Sequence, residues 1–328
     1  MPRSPLTEDE LIARFFAPMA GEGSFGLTDD AAKITPPYGH DLVVTTDALV
    51  AGVHFFLEDA GAAVARKALR VNISDIVAKG ALPLGFLLTL ALPSDWDEAW
   101  LSDFAEGLRR DAEYYRAPLL GGDTTRTPGP LTISITAIGS VPAGRMVKRS
   151  GARVGHVVAV TGTIGDAALG LLLRRGNATL GALSDQHKKV LIDRYATPRP
   201  RIEIATAVQR LASAAMDVSD GLVGDLTKLL RASVVTAKID LDAVLTTEAA
   251  RSAFTIDPKL RDLAFTGGDD YEIIMTLPPD NLHDMQRAAG EVGIAVSRIG
   301  TVTKGTAEPA FFDRSGPVRF TRPSFQHF

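Results

Sequence analysis

Apolar and polar positions in the first 145 residues follow two different periods. Four runs predict strands: Leu42 to Thr46, Leu84 to Leu92, Pro118 to Leu120 and Leu131 to Val141, the last alternating as LTISITAIGSV. Two stretches carry a helical period. One runs from about Ala60 to Lys79; the other opens at the Ser94/Asp97 capping pair and sets Trp100, Leu101, Phe104, Leu108, Ala112 and Tyr115 along one face. Near the start, Thr7 and Glu10 form a capping box ahead of Leu11, Ile12, Phe15 and Phe16, which predicts a helix and not a signal peptide or anchor.

The pattern lapses over VPAGRMVKRSGARVG, residues 141 to 155, where Pro, Gly and basic residues cluster without a period. This stretch reads as an inter-domain connection, giving domains of 1–145 and 146–328. The second half predicts strands at 156–161, 215–219, 235–241, 271–277, 295–303 and 317–321, with helices near 164–175, 184–194, 199–213 and 220–232. The expected fold is therefore α/β (or α+β) in two domains.

A length of 328 residues agrees with two domains at roughly 150 residues each. With 45% hydrophobic and 23% charged residues the chain is globular and not disordered. A formal charge of −4 argues against a nucleic-acid surface, which needs clustered Lys and Arg. The absence of cysteine excludes disulfides, a thiolate nucleophile and Cys-ligated zinc. No apolar run approaches the ~18 residues of a membrane span, so the expected location is the cytoplasm, with no membrane partner.

Acidic residues stand repeatedly at the ends of apolar strands or inside apolar helices: Asp29 and Asp30 in LTDDAA, Asp47 in VVTTDALV, Asp75 in VNISDIV, Asp123 in LLGGDTTR, Asp217 and Asp220 in AMDVSDGL. Each has a plainer alternative. Asp75 could pair with Lys79 one turn on, Asp47 and Asp123 could be turn residues, and Ser219 or Asp220 could cap the next helix. Together they favour a site, because a set of buried carboxylates stays ionised only with cations. Carboxylates with the hydroxyls of Thr45, Thr46 and Thr124 are oxygen ligands suited to Mg²⁺, which bridges carboxylates to substrate phosphates. Arg126, Arg145, Lys148 and Arg149 could meet a polyphosphate from the other side. VVAVTGTIGDAALG, residues 157–170, invites a dinucleotide-binding reading, but Gly162, Gly165 and Gly170 do not fit G-x-G-x-x-G, and no Walker loop is present.

These segments, with TTDALVAGVHF, KALRVNISDIVAKGA, GRMVKRSGARVGHVVAVTGTIGDAALG, MDVSDGL, TGGDDYE and a terminal SFQHF, resemble the thiamine-monophosphate kinase family over nearly the full length. The wider superfamily includes aminoimidazole ribonucleotide synthetase, selenophosphate synthetase and a hydrogenase maturation protein. The last two use cysteines or selenocysteine that this chain lacks. The D-G-V-G-T-K segment of the first is also missing. The resemblance implies an aminoimidazole ribonucleotide synthetase-like fold, with four N-terminal strands completing an eight-stranded barrel across a homodimer. It implies Mg²⁺ ligands at Asp30, Thr45, Thr46, Asp47, Asp75, Asp123 and Asp217, with Asp220 holding a further ion. ATP would meet Gly122, Asp123, Arg149 and Ser219. Thiamine monophosphate would meet His54, Asp269 and Phe325, where Asp269 stands in place of the family's Glu and Phe325 is the stacking aromatic. Thr28 replaces the Gly that usually opens the first metal loop. No catalytic residue is expected to act as general base. Two alternatives stay open: activation of a formyl or amide oxygen by ATP, and a nucleotide or thiamine-phosphate sensor without turnover.

Overall fold

Alternating branched and leucine side chains in the first part of the chain build a four-stranded sheet, and the computed structural model that shows it describes residues 6–321 and Ser324. Its strands are β1 (His40–Val50), β2 (Leu82–Pro93), β3 (Leu119–Thr127) and β4 (Thr132–Pro142), in the order β1-β4-β2-β3. β4 runs antiparallel to both neighbours, and β2 and β3 are parallel. Ile133, Ile135 and Ala137 of β4 point at period two into a core shared with Phe86 and Leu90 of β2. Two helices close it, Gly61–Ala78 and Glu98–Tyr114. They approach closely, since the backbone amide of Ala62 donates to Asp103 at 2.8 Å and Arg70 grips Asp111 through two bonds of 2.5 and 2.8 Å. The second helix is capped by Asp97 itself, whose carboxylate accepts from the amides of Ala99 and Trp100. The capping box of Thr7 and Glu10 is present, but the α-helix it starts covers only Glu8–Leu11 and continues as a π-turn through Phe16.

One expected strand is longer than its sequence suggests. β3 does not stop at Leu120; it carries Gly-Gly-Asp-Thr-Thr-Arg within the ladder, with Gly122 opposite Leu88 and Asp123 opposite Thr89. A bulge at Leu120 shifts the register just before this motif. β3 is an edge strand, met on its outer side by the isolated bridge of Ala20 to Leu119 ahead of the motif, so two glycines and a row of polar residues are tolerated there.

The chain divides into two compact units, the first made of residues up to 76 with Leu82–Gly144, the second of Val77–Ala81 with residues from Arg145 onward. The second holds a seven-stranded sheet. Its strands are β5 (Val157–Thr161), β6 (Ala214–Asp217), β7 (Thr236–Asp240), β8 (Ile273–Leu277), β9 (Val296–Thr303), β10 (Ala310–Asp313) and β11 (Gly316–Val318), ordered β11-β10-β7-β9-β5-β8-β6. Only the β7–β10 pair is parallel. Val158, Val160, Met216, Ile274 and Ile299 meet Leu222, Leu226 and Leu229 of the helix Leu222–Ala232 in its core. The helices Glu248–Ile256, Leu260–Thr266 and Asn281–Gly290 were not expected, and the single strand expected at 317–321 is instead the β10–β11 hairpin. The two-sheet, mixed α/β architecture is the expected one.

Candidate active site

In the first unit the expected residues sit on the two edge strands and the helix Gly61–Ala78, except Asp30, which is in a loop, and His54, which is in a turn. Thr45, Thr46 and Asp47 lie consecutively in β1, so Asp47 is a strand residue and not a turn. Thr45 donates its hydroxyl proton to the Asp75 carboxylate at 2.6 Å, tying β1 to the helix Gly61–Ala78. The Asp47 amide donates to the side chain of Asn72, which is fully buried and anchored on the carbonyl of Ala68. Asn72 was not singled out in the sequence. Its signal was an amide side chain one helical turn from Asp75 inside an apolar helix. Thr46 is held by Thr136 and the Ile135 carbonyl.

Asp30 and Asp123 open into one cavity of about 540 Å³. Its lining mixes polar groups, among them Asp29, Gly121, Gly122 and Thr124, with apolar side chains such as Phe16, Leu87, Leu119 and Ile138. The loop that carries Asp30 is fixed locally, as the Asp30 amide donates to the Asp29 carboxylate at 2.8 Å. Thr28 has φ −112°, so no glycine is needed there; the left-handed residues of this loop are Phe25, Gly26 and Leu27. His54 stands in the turn after β1, where its Nδ1 accepts the Val50 amide at 3.0 Å. A neutral ring then carries its proton on Nε2.

The remaining expected residues lie in the second unit. Asp217 ends β6 and is buried, while Ser219 and Asp220 follow in a tight loop. Neither caps the helix, whose N-cap is Gly221. Asp225, missed in the sequence, organises this loop: its fully buried carboxylate accepts the amides of Ser219 and Asp220 at 2.9 and 2.8 Å. Lys228 bridges Asp220 and Asp225 at 2.5 and 2.8 Å. Burial lifts the Asp225 carboxyl above its ordinary value, against the pull of Lys228. Burial likewise depresses the Lys228 ammonium, but its two carboxylate partners outweigh that and leave it raised. Asp269 is pinned beside the same loop, with its amide on the Ser219 carbonyl at 2.9 Å. Arg149 is exposed and begins a short 3₁₀ turn. Phe325 lies outside the described residues.

Among the described residues no three His, Asp or Glu side chains gather as a ready-made metal cage. The donor set nevertheless fits a hard cation. All its atoms are oxygens, and Mg²⁺ is commonly held by one or two carboxylates with phosphate oxygens completing the shell.

Two family profiles match the chain, AIR synthase related protein, N-terminal domain, over residues 28–141, and its C-terminal counterpart over 153–311. Both domains of that class are thus present in order. Thiamine-monophosphate kinase of Caulobacter vibrioides is 40% identical over 94% of this chain and 88% of its own length, and that of Salmonella typhimurium 39% over 98% of each. The crystal structure of thiamine-monophosphate kinase from Stenotrophomonas maltophilia K279a covers 89% of this chain and 91% of its own at 35% identity, with a TM-score of 0.80. AaThiL complexed with AMPPCP and TMP covers 93% and 97% at 30% identity, with a TM-score of 0.77. The chain belongs to the thiamine-monophosphate kinase family.

Proposed function

We propose that this chain transfers the terminal phosphoryl group of ATP to thiamine monophosphate in one in-line step, releasing ADP and thiamine diphosphate. The observation that carries this reading is the near full-length likeness to a relative solved with AMPPCP and TMP. The cavity shared by Asp30, Gly122 and Asp123 supports it, since its lining combines carboxylates and main-chain groups with apolar side chains.

A phosphate monoester has its second pKa near 6, so the attacking oxygen is already ionised at neutral pH and needs no general base. The obstacle is charge. Two unit charges 4 Å apart at an effective dielectric of 20 repel by about 4 kcal/mol, and several such pairs oppose the approach. Mg²⁺, held by Asp30, Thr45, Thr46, Asp47, Asp75, Asp123 and Asp217 with Asp220 taking a further ion, would neutralise the phosphates and stabilise charge on the transferring group. The chain's own work is placement. Gly122, Arg149 and Ser219 contact ATP, and the Nε2–H of His54 faces an anionic acceptor as donor. Asp269 and Phe325 would meet the thiamine moiety.

The N-terminal domain, residues 1–145, would hold ATP and metal and form the homodimer. Among the described residues no further strand pairs with the sheet edges β1 and β3, whose ladder stops at an isolated bridge of Ala20 to Leu119, and Leu42, Val44 and Leu82 are exposed apolar side chains on this sheet. A second copy closing an eight-stranded barrel removes such edges. Residues 146–328 form the second domain. No helix among the described residues is long and apolar enough to cross a membrane, and the proposed setting is the cytoplasm, without nucleic-acid partners.

The test is ³¹P NMR of the purified protein with ATP, Mg²⁺ and thiamine monophosphate, beside controls with an aminoimidazole precursor and with no acceptor. Thiamine diphosphate and ADP resonances are expected. ATP consumed only with the precursor, or not at all, refutes the proposal.

A further inference from the structure

In TGGDDYE the acidic and aromatic residues alternate between two environments. Asp270 and Glu272 are 2% and 0% exposed, whereas Asp269 and Tyr271 are half-buried. Both of the latter have left-handed backbones, φ +71° and +52°. Residues with a Cβ avoid that region, and an aromatic is among the least suited to it. A loop that only had to turn would use glycine at such positions; Gly267 and Gly268 beside them are not left-handed and are glycines because Ala168 and the Ser219 carbonyl fill the space of a side chain. Aspartate and tyrosine at strained positions therefore point to a need for their side chains.

The strain is held from below. Glu272 accepts from Thr161 at 2.7 Å, from Arg194 at 2.9 Å and from Arg201 Nε at 2.6 Å, with a second, shorter contact to the Arg201 fork. Gly162 leaves room for this carboxylate, since a Cβ there would fall 2.1 Å from Glu272 Oε1. Asp270 accepts the Gly165 amide with both oxygens, at 3.0 and 2.9 Å. The main chain adds three bonds: Asp269 N to Ser219 O, Tyr271 N to Val218 O and Val218 N to Glu272 O, at 2.9, 2.9 and 2.8 Å. Across the top, the Tyr271 hydroxyl donates to the Asp269 carboxylate at 3.3 Å.

We propose that Glu272, clamped by Arg194 and Arg201, and Asp270, clamped by Gly165, are positioning residues that hold Asp269 and Tyr271 as a carboxylate–phenol pair for the acceptor's cationic, amino-bearing heteroaromatic rings. The inference rests on the kinase reading above and extends its acceptor site to Tyr271 and to a buried ion triad. Ser219 is also fixed by Asp225, so loosening the triad should affect the acceptor far more than ATP.

The experiment compares wild type, Glu272→Gln and the charge-conserving Arg201→Lys. KM is measured separately for thiamine monophosphate and ATP, and amide exchange is followed at Asp269 and Tyr271. Glu272→Gln should raise KM for thiamine monophosphate at least tenfold with KM for ATP within twofold, and speed exchange at both amides. Arg201→Lys, which keeps a charge opposite Glu272, should show the same split at about threefold and decides the matter if Glu272→Gln does not fold. A folded variant whose acceptor KM stays within twofold, or whose two KM values rise together, overturns the positioning role. A wild type that makes no thiamine diphosphate sinks the kinase reading instead, and unchanged or faster exchange at the two amides then decides the positioning role alone.

Discussion

The two glycines of GGDTTR differ sharply in what they can tolerate, which makes Gly122→Ala a severe test of the β3 geometry. A Cβ built on Gly122 would lie 1.8 Å from the Leu88 carbonyl oxygen and 2.7 Å from its carbon. Ordinary contact begins near 3.4 Å, so the paired backbones would have to part by about 1.6 Å. No rotamer can absorb this, because the obstructing atoms are main chain of β2. Leu88 faces Gly122 in the ladder, and Thr89↔Asp123 and Leu90↔Thr124 follow. Losing two or three of these bonds at about 1 kcal/mol each, with overpacking of about 1–2 kcal/mol, predicts a loss of about 3–5 kcal/mol. At roughly 2–4 °C per kcal/mol for a domain near this size, calorimetry should find the first transition lowered by roughly 6–20 °C. Turnover should fall with it, since Asp123 is the next residue. Gly121→Ala is the control: its Cβ would meet only Leu87 Cδ2, at 3.5 Å, and its Tm should stay within about 2 °C. Gly122→Ala with a wild-type Tm would refute the strand pairing that places Asp123.

Asp47→Asn and Asp123→Asn should keep wild-type Tm yet lose most turnover, measured as ADP release at limiting Mg²⁺; wild-type rates would remove both from the metal set. Asp111→Asn leaves the Arg70 guanidinium, 16% exposed, against a neutral partner, and denaturant titration should show a loss of about 3 kcal/mol. Burial pushes the Asp270 carboxyl well above its ordinary value, against the opposing bond from Gly165. The folded protein then keeps a proton that the unfolded chain releases, so this stability is present at acid pH and lost as pH rises through the folded value. Relative to wild type, Asp270→Asn should therefore gain Tm progressively as pH rises above the ordinary aspartate range, and a pH-independent difference would refute the assignment. For Glu272 burial raises the carboxyl, but Arg201, Arg194 and Thr161 outweigh it and leave it lowered. Its contribution has the opposite sign, and Glu272→Gln should lose its disadvantage as pH falls below the ordinary glutamate range.

What was legible in the sequence was what a local period encodes. LTISITAIGSV alternates, and β4 is central in its sheet with one face in the core. Asp97 caps its helix because an aspartate before an apolar helical face has little else to do. GGDTTR read as a loop because no hydrophobic residue in it repeats. It is a strand because β2 supplies a ladder on one side, which no local signal reports. Asp225 escaped for a related reason. In GLVGDLTKLL it looks like a helix-surface acid one turn before Lys228, and only the fold reveals that it turns inward to hold the amides of Ser219 and Asp220.

The glycine-rich stretch VVAVTGTIGDAALG shows the same division between pattern and purpose. A strand, a glycine turn and a helix start suggest phosphate binding, and the spacing alone could only disfavour that. The structure supplies what the turn does. Gly162 is a glycine because the Glu272 carboxylate fills the space of its side chain, and the Gly165 amide is directed at Asp270. Asp166, the first helical residue, is fully buried and accepts hydroxyl protons from Thr163 and Thr247 at 2.9 and 2.5 Å. Burial raises its carboxyl despite both donors. A turn whose amide and open space are already taken by buried carboxylates cannot also cradle an anion. Its glycines serve TGGDDYE more than a hundred residues later, so the two motifs form one device, and a substitution in the first should be read at Asp269.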